Sequence, residues 1–504
     1  MTGVQTCALP ICYSREGLSL YEGFGGLQDS GIDLSEFQAQ LAKDRSSRTM
    51  TFQKITRPSI ARFCRRSIDQ MQKGQFSESS QFLNIEYACK VLEDADVLEL
   101  TDFLKNVTQC ASKNKEVMGK FLASQEIAQV MVRTLSNESL SERLIILLMN
   151  TIAELYPISS VDVQNAYIDE GICFQFLPFL ESKSEDLVLS TIGIIGAISQ
   201  SSSYARDAVV CCDIHLTLID IAQKSENIEI VNAACESLSH MFANPEPIDS
   251  SILLGCVEPM IPLLDLKSDD SLESILVCFV EMSSQNPSVI FSIFENKIYS
   301  KIVELLPNPN LTSTALRLIG NMAIAQPSQI DMMIKTGLFP KLVDLMCTEF
   351  AADVFWVLSA FLEAVPNLMM ELFTEEFLDN ALEISVYSSF NVKKEGSHFL
   401  ATVILFADET KLCTLMNSEL MKVFVEMLGC NIVLIILRIF DSIIRLIHII
   451  EKDVSRYDCD FLKPLFDENG TNVIEKLTNS QEETLAKRAI YFKKQIDILK
   501  DSIN

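Results

Sequence analysis

Glycine, proline, histidine and tryptophan are all scarce in this chain. Its 504 residues hold 17 Gly and 15 Pro, and average usage would give about twice that Gly. An α/β enzyme needs glycine at its sharp strand–helix turns, whereas stacked helices need little of it. The four histidines, at 215, 240, 398 and 448, stand far apart with no H-E-x-x-H or paired spacing. Neither a metal site nor a cofactor is expected on that pattern. There is no G-x-S-x-G turn for a nucleophile, and the GFGG at 23–26 has no Lys-Ser/Thr after it to make a phosphate loop. The expectation is therefore a protein that is not an enzyme. A long uncharged apolar run is lacking as well. The best candidate, 431–450, carries Arg438, Asp441 and Arg445 in its middle. Each such charge costs about 2.5–3.5 kcal/mol at a bilayer centre, so an amphipathic buried helix is expected and no membrane partner.

Positive charge is in deficit. Lys and Arg number 41 against 68 Asp and Glu, a formal net charge of −27. A body of that sign repels phosphate, which argues against a nucleic-acid partner. The 15 cysteines are scattered singly apart from Cys211–Cys212, a pattern of reduced, buried thiols in a cytoplasmic or nuclear protein. The sequons at Asn106, Asn137 and Asn310 have no meaning in such a compartment.

Four regions follow from composition. Residues 1–11, MTGVQTCALPI, read as the translation of a sequencing-library adapter and are set apart from fold reasoning. Residues 12–40 are rich in Gly and Ser and read as a flexible N-terminal segment. Residues 41–75 form a basic arm. Lys43, Arg45, Arg48, Lys54, Arg57, Arg62, Arg65, Arg66 and Lys73 face only Asp44 and Asp69 there, so an acidic partner or the acidic body of this chain is the expected contact. From 80 to 499, apolar residues recur at i, i+3, i+4 and i+7, the helical period.

Breaks recur in that last region, at Tyr156-Pro157, Asn244-Pro245, Asn286-Pro287, Gln326-Pro327 and Val365-Pro366. Each follows a long helix-like stretch such as TALRLIGNMAIAQP. Aligning the stretches puts Asn106, Thr151, Ala197, His240, Glu281, Asn321, Ala360, Thr402 and Ser442 in register, at steps of 39 to 46 residues. A period of about 40–47 with two or three helices per unit marks an armadillo or HEAT array. The predicted fold is all-α: a right-handed α-solenoid of about ten armadillo repeats with a concave peptide-binding groove, capped by a C-terminal repeat at 467–499.

Three stretches carry a resemblance to importin α, the armadillo-repeat adapter of nuclear import. STALRLIGNMAIAQPSQIDMMIKTGLFPKLVDLM (313–346) is similar to the family's sixth repeat, FDENGTNVIEKLTNSQEETLAKRAIYFKKQI (466–496) to its C-terminal repeat, and LAKDRSSRTMTFQKITRP (41–58) to its importin-β-binding arm. The resemblance implies a groove lined by the third helix of each repeat, where a Trp and an Asn four residues apart share a helix face. Neighbouring Trp rings would slot the stems of basic side chains, and the Asn amides would hold a peptide backbone.

Carried over by position, the pairs are Leu147/Thr151, Gly193/Ala197, Glu236/His240, Val277/Glu281, Arg317/Asn321, Trp356/Ala360 and His398/Thr402. The acidic residue that takes the key lysine in the family falls at Tyr204 or Ser203. The scaffold is kept while most of the clamp is replaced. Trp356, the sole Trp, reads as a groove slot or as a core residue between helices. Arg317 with Asn321 reads as a peptide clamp or as a surface Arg beside a helix-closing Asn. The cargo-groove candidates are Trp356, Arg317, Asn321, Glu236 and Glu281. The carrier-binding candidates are Lys43, Arg45, Arg48, Lys54 and Arg57. By the resemblance, the partners are a protein or peptide cargo, basic in character, an importin-β-type carrier, and an export receptor at the C-terminal repeat. The protein would then serve cytoplasm and nucleus. An armadillo scaffold for some other partner, without a transport role, is the alternative.

Overall fold

The computed structural model describes residues 83–113, 118–137, 139–244, 246–452 and 456–503. The segments 1–11 and 12–40 and the basic arm at 41–75, with its carrier-binding candidates Lys43, Arg45, Arg48, Lys54 and Arg57, lie outside the described residues. Among the described residues there is no strand. The chain divides into two compact units, a first one up to Leu342 and a second one from Val343 onward.

Each unit repeats one motif. Two shorter helices are followed by a long one, and then the motif begins again. The long helices of the first unit are α1 (Val97–Lys113), α2 (Glu142–Leu155), α3 (Glu185–Ser201), α4 (Ile228–Phe242), α5 (Asp269–Gln285) and α6 (Thr312–Asn321). Those of the second are α7 (Ala351–Ala364), α8 (Phe390–Phe406), α9 (Val433–Lys452) and α10 (Glu483–Ile503). Within a unit each long helix packs against the next in a row, and the preceding short helices form a layer behind it. This is the armadillo-type all-α solenoid. No repeat holds a core of its own, so stability comes from stacking on neighbours.

The local reasons are plain in α4. The Asn227 side chain accepts a hydrogen bond from the Glu229 amide at 2.9 Å, and Glu229 puts negative charge on the first turn. Both favour a helix start. Val231, Ala234, Cys235, Leu238, Met241 and Phe242 then bury one broad face, worth about 1.5–3 kcal/mol for each large side chain. Small residues set the spacing to α3: a Cβ on Gly196 would stand 2.9 Å from Ser237 Oγ.

The corner before the second short helix needs a left-handed residue in four repeats. Gly171 (φ 90°) and Gly337 (φ 89°) supply it at no steric cost, while Asp213 (φ 56°) and Lys297 (φ 57°) hold it against their own Cβ atoms. Between repeats, polar side chains close the carbonyl ends of the preceding long helix. Asn244 Nδ2 donates to Ser199 O at 3.4 Å and Gln285 Nε2 to Phe242 O at 2.7 Å. In the second unit Arg445 donates to Ile404 O and Ala407 O, both at 2.8 Å. These bonds satisfy end carbonyls that have no partner within their own helix.

Candidate protein-binding face

The face turned away from the short helices is built from one stripe per long helix. On α4 it consists of Asn232, Glu236 and His240, spaced four apart and all half-buried. On α5 it consists of Asp270, Glu273, Val277 and Glu281. On α3 the matching place holds Gly193, where an added Cβ would meet nothing within 4 Å, and the buried Ala197. The α3 side is thus low and apolar, and the α4–α5 side stands proud and acidic.

Charge on this face has one sign. Helices α3, α4 and α5 contain eight Asp and Glu and no Lys or Arg. Burial, and then the charge of Asp270, raise the carboxyls of Glu236 and Glu273 above their ordinary range. Asp270 therefore repels Glu236 across the α4–α5 seam and Glu273 along α5. His240 goes the other way: burial lowers it to about 4, so it is neutral at physiological pH. Asn232 Oδ1 accepts from Ser268 Oγ at 2.9 Å and from Ser271 Oγ, which ties the seam together.

The residues singled out by sequence fall in three places. Glu236 and Glu281 lie on the half-exposed stripes of α4 and α5. Arg317 and Asn321 lie on α6 and are both buried. The Asn321 amide donates to Val280 O at 3.3 Å and Ser283 Oγ at 3.0 Å, so it joins α6 to the end of α5. Trp356 lies on α7 in the second unit and is 4% exposed. Thr151, another register position, meets Thr108 across α1 and α2 at 2.9 Å. Tyr204, a candidate for the lysine-receiving place, donates instead to Asp169 at 2.5 Å and is half exposed. Asn232, Asp270 and Glu273 were not among the candidates. Stepping back one helical turn from Glu236, and two or three turns from Glu281, reaches them.

Among the described residues no cluster of His, Cys, Asp and Glu is arranged to hold a metal ion. No described helix is long and apolar enough to cross a membrane. No family model matches the chain. Among solved structures it is similar to an engineered protein at 17% identity with a TM-score of 0.65, covering 82% of this chain and 98% of that one. Such a likeness speaks for a shared fold. The chain is also 18% identical to two designed armadillo repeat proteins, one of them in complex with the peptide (KR)4. They match 55% and 56% of this chain and 100% of their own, each at a TM-score of 0.33.

Proposed function

We propose that this chain is a non-catalytic protein-binding scaffold that holds an extended cationic segment of a partner against α3, α4 and α5. The observation that supports it is the face itself: its stripes carry Glu236, Asp270, Glu273 and Glu281 on helices without Lys or Arg, with Glu236 and Glu273 buried in part and crowded by Asp270. A cation placed at that seam offsets both the burial and the charge of Asp270 that raise the two carboxyls. Half-exposed ion pairs contribute about 0.2–1 kcal/mol each. Several of them acting together give binding that salt weakens. A titration of basic, neutral and acidic peptides at low and high salt tests this. Basic peptides should bind best at low salt, and Glu236→Gln with Glu273→Gln should weaken them. Equal affinity for all three classes would remove the reading.

A finer reading is a divergent importin-α-like adapter, with nuclear import cargo on this face, a β-type carrier on residues 41–75 and an export receptor at the C-terminal repeat. The resemblance of 41–58, 313–346 and 466–496 supports it, and residence in both cytoplasm and nucleus goes with it. Pulldown of a β-type carrier with residues 40–75 is its test, and no capture at low salt ends it. The single Trp in the chain favours the alternative, a scaffold for another protein with no transport role, because cation–π slots contribute about 0.5–2 kcal/mol each and a ladder needs several.

A further inference from the structure

In the second unit the register positions that are open on α4 and α5 are shut. Trp356 and Ala360 on α7, His398 and Thr402 on α8, and Arg438 on α9 are all buried. Arg438 stands where Glu236 stands on α4, four residues before the position shared by Ser442 and His240. Its guanidinium pairs with Glu363 of α7 at 3.0 Å, and the two side chains are 4% and 3% exposed. The helix between them is α8, which packs against α7 on one side and α9 on the other. Packed helices lie about 8–10 Å apart, so α7 and α9 stand at nearly twice that distance. A direct pair between them therefore spans the width of α8, the helix that carries His398 and Thr402.

Stability alone does not account for this pair. Removing both ions from water costs several kcal/mol, and apolar residues of like volume do as well or better. Its position is what distinguishes it. In the second unit it involves a register position, that of Arg438, whose counterpart on α4 of the first unit is the half-exposed Glu236.

We infer that Arg438 and Glu363 form an intrachain latch that fills the guest track of the second unit, so that guests are held on α3–α5 and kept off α7–α9. The inference rests on the scaffold reading of the α3–α5 face. The latch supplies from within the chain the charges and bulk that a bound peptide would bring.

Trp356 gives a built-in reporter, being the only Trp in the chain and seven residues, two helical turns, from Glu363 on α7. The experiment uses the full chain and a Lys/Arg peptide carrying a photo-cross-linker, with acrylamide quenching of Trp356 fluorescence alongside. On the wild type, cross-links should fall on α3–α5 alone, with one guest per chain and Trp356 unmoved. Glu363→Ala with Arg438→Ala removes both charges and their bulk. Trp356 should then be quenched more strongly, and a second guest should bind. Glu363→Leu with Arg438→Met keeps the bulk and should behave as wild type. Cross-links on α7–α9 of the wild type overturn the latch, as does a folded double-alanine variant with unchanged quenching and one guest. If the double-alanine variant does not fold, the wild-type cross-links decide. A chain that binds no cationic peptide at all overturns the scaffold reading instead, and the quenching comparison still judges the latch.

Discussion

Gly193 and Gly396 sit inside long helices, in α3 and α8, and alanine at the two places should have opposite effects. Alanine in a helix interior is favoured over glycine by about 0.8–1 kcal/mol. At Gly193 a new Cβ meets nothing within 4 Å, so Gly193→Ala should raise stability by nearly that amount. At Gly396 the Cβ would collide with Ser385 Oγ, stand 2.8 Å from Ser385 Cβ and press Phe355 at 3.3 Å. Ser385 Oγ cannot yield freely, because it donates to Ala381 O at 2.7 Å in a buried site. Losing that bond costs about 1 kcal/mol, and overpacking costs about 1–3 kcal/mol more. Less the helix gain, Gly396→Ala should destabilise by about 1–3 kcal/mol. Urea unfolding followed by circular dichroism, with amide exchange of α8 to locate the loss, measures both. Ser385→Ala in the Gly396→Ala background should restore part of the loss. A Gly396→Ala chain as stable as wild type would mean that the short helix Glu375–Tyr387 leaves room for a Cβ on α8, which would refute the close approach of the two helices.

At the left-handed corner, Lys297→Gly should be neutral to mildly stabilising, by up to about 0.5 kcal/mol, because relief of the αL cost is offset by unfolded-state entropy. Lys297→Val should destabilise by about 1–2 kcal/mol, as thermal melts of both variants will show. His240 is held at about 4 in the fold against 6.5 outside it, so its contribution is complete above pH 6.5 and is lost as pH falls towards 4. His240→Gln should flatten the decline of stability across that window in denaturant midpoints. Burial pushes the thiols of Cys235 and Cys256 up to about 12 from 9.0. Their contribution should hold below pH 9 and disappear as pH rises towards 12. Under native conditions a thiol reagent should modify the exposed Cys211, Cys347 and Cys413, and reach Cys235, Cys256 and Cys278 only after denaturation.

The solenoid was legible because every repeat poses the same question to the sequence and answers it alike. Thr151, His240, Glu281 and Thr402 were set in one register by period alone, and each lies on a long helix with its neighbours packed in a row. The armadillo character follows from that period and from the scarcity of glycine, both of which are local and additive. The face was less legible, because a polar residue one turn from another has two uses in a stack. Asn321, at the second register position of α6, and Glu236, at the first of α4, show the two uses. The Asn321 amide finds the carbonyl of Val280, while Glu236, on helices without Lys or Arg, stays half-buried beside Asp270. Which use prevails depends on what the adjacent repeat offers, and that neighbour is about forty residues away. The same contingency separates the two units. Arg438 could stand at a guest-facing position and still be withdrawn from any guest, because Glu363 comes within 3.0 Å of it from two repeats back. Helical periodicity can say that a side chain points into the track, but only the partner across the stack determines whether the track is open.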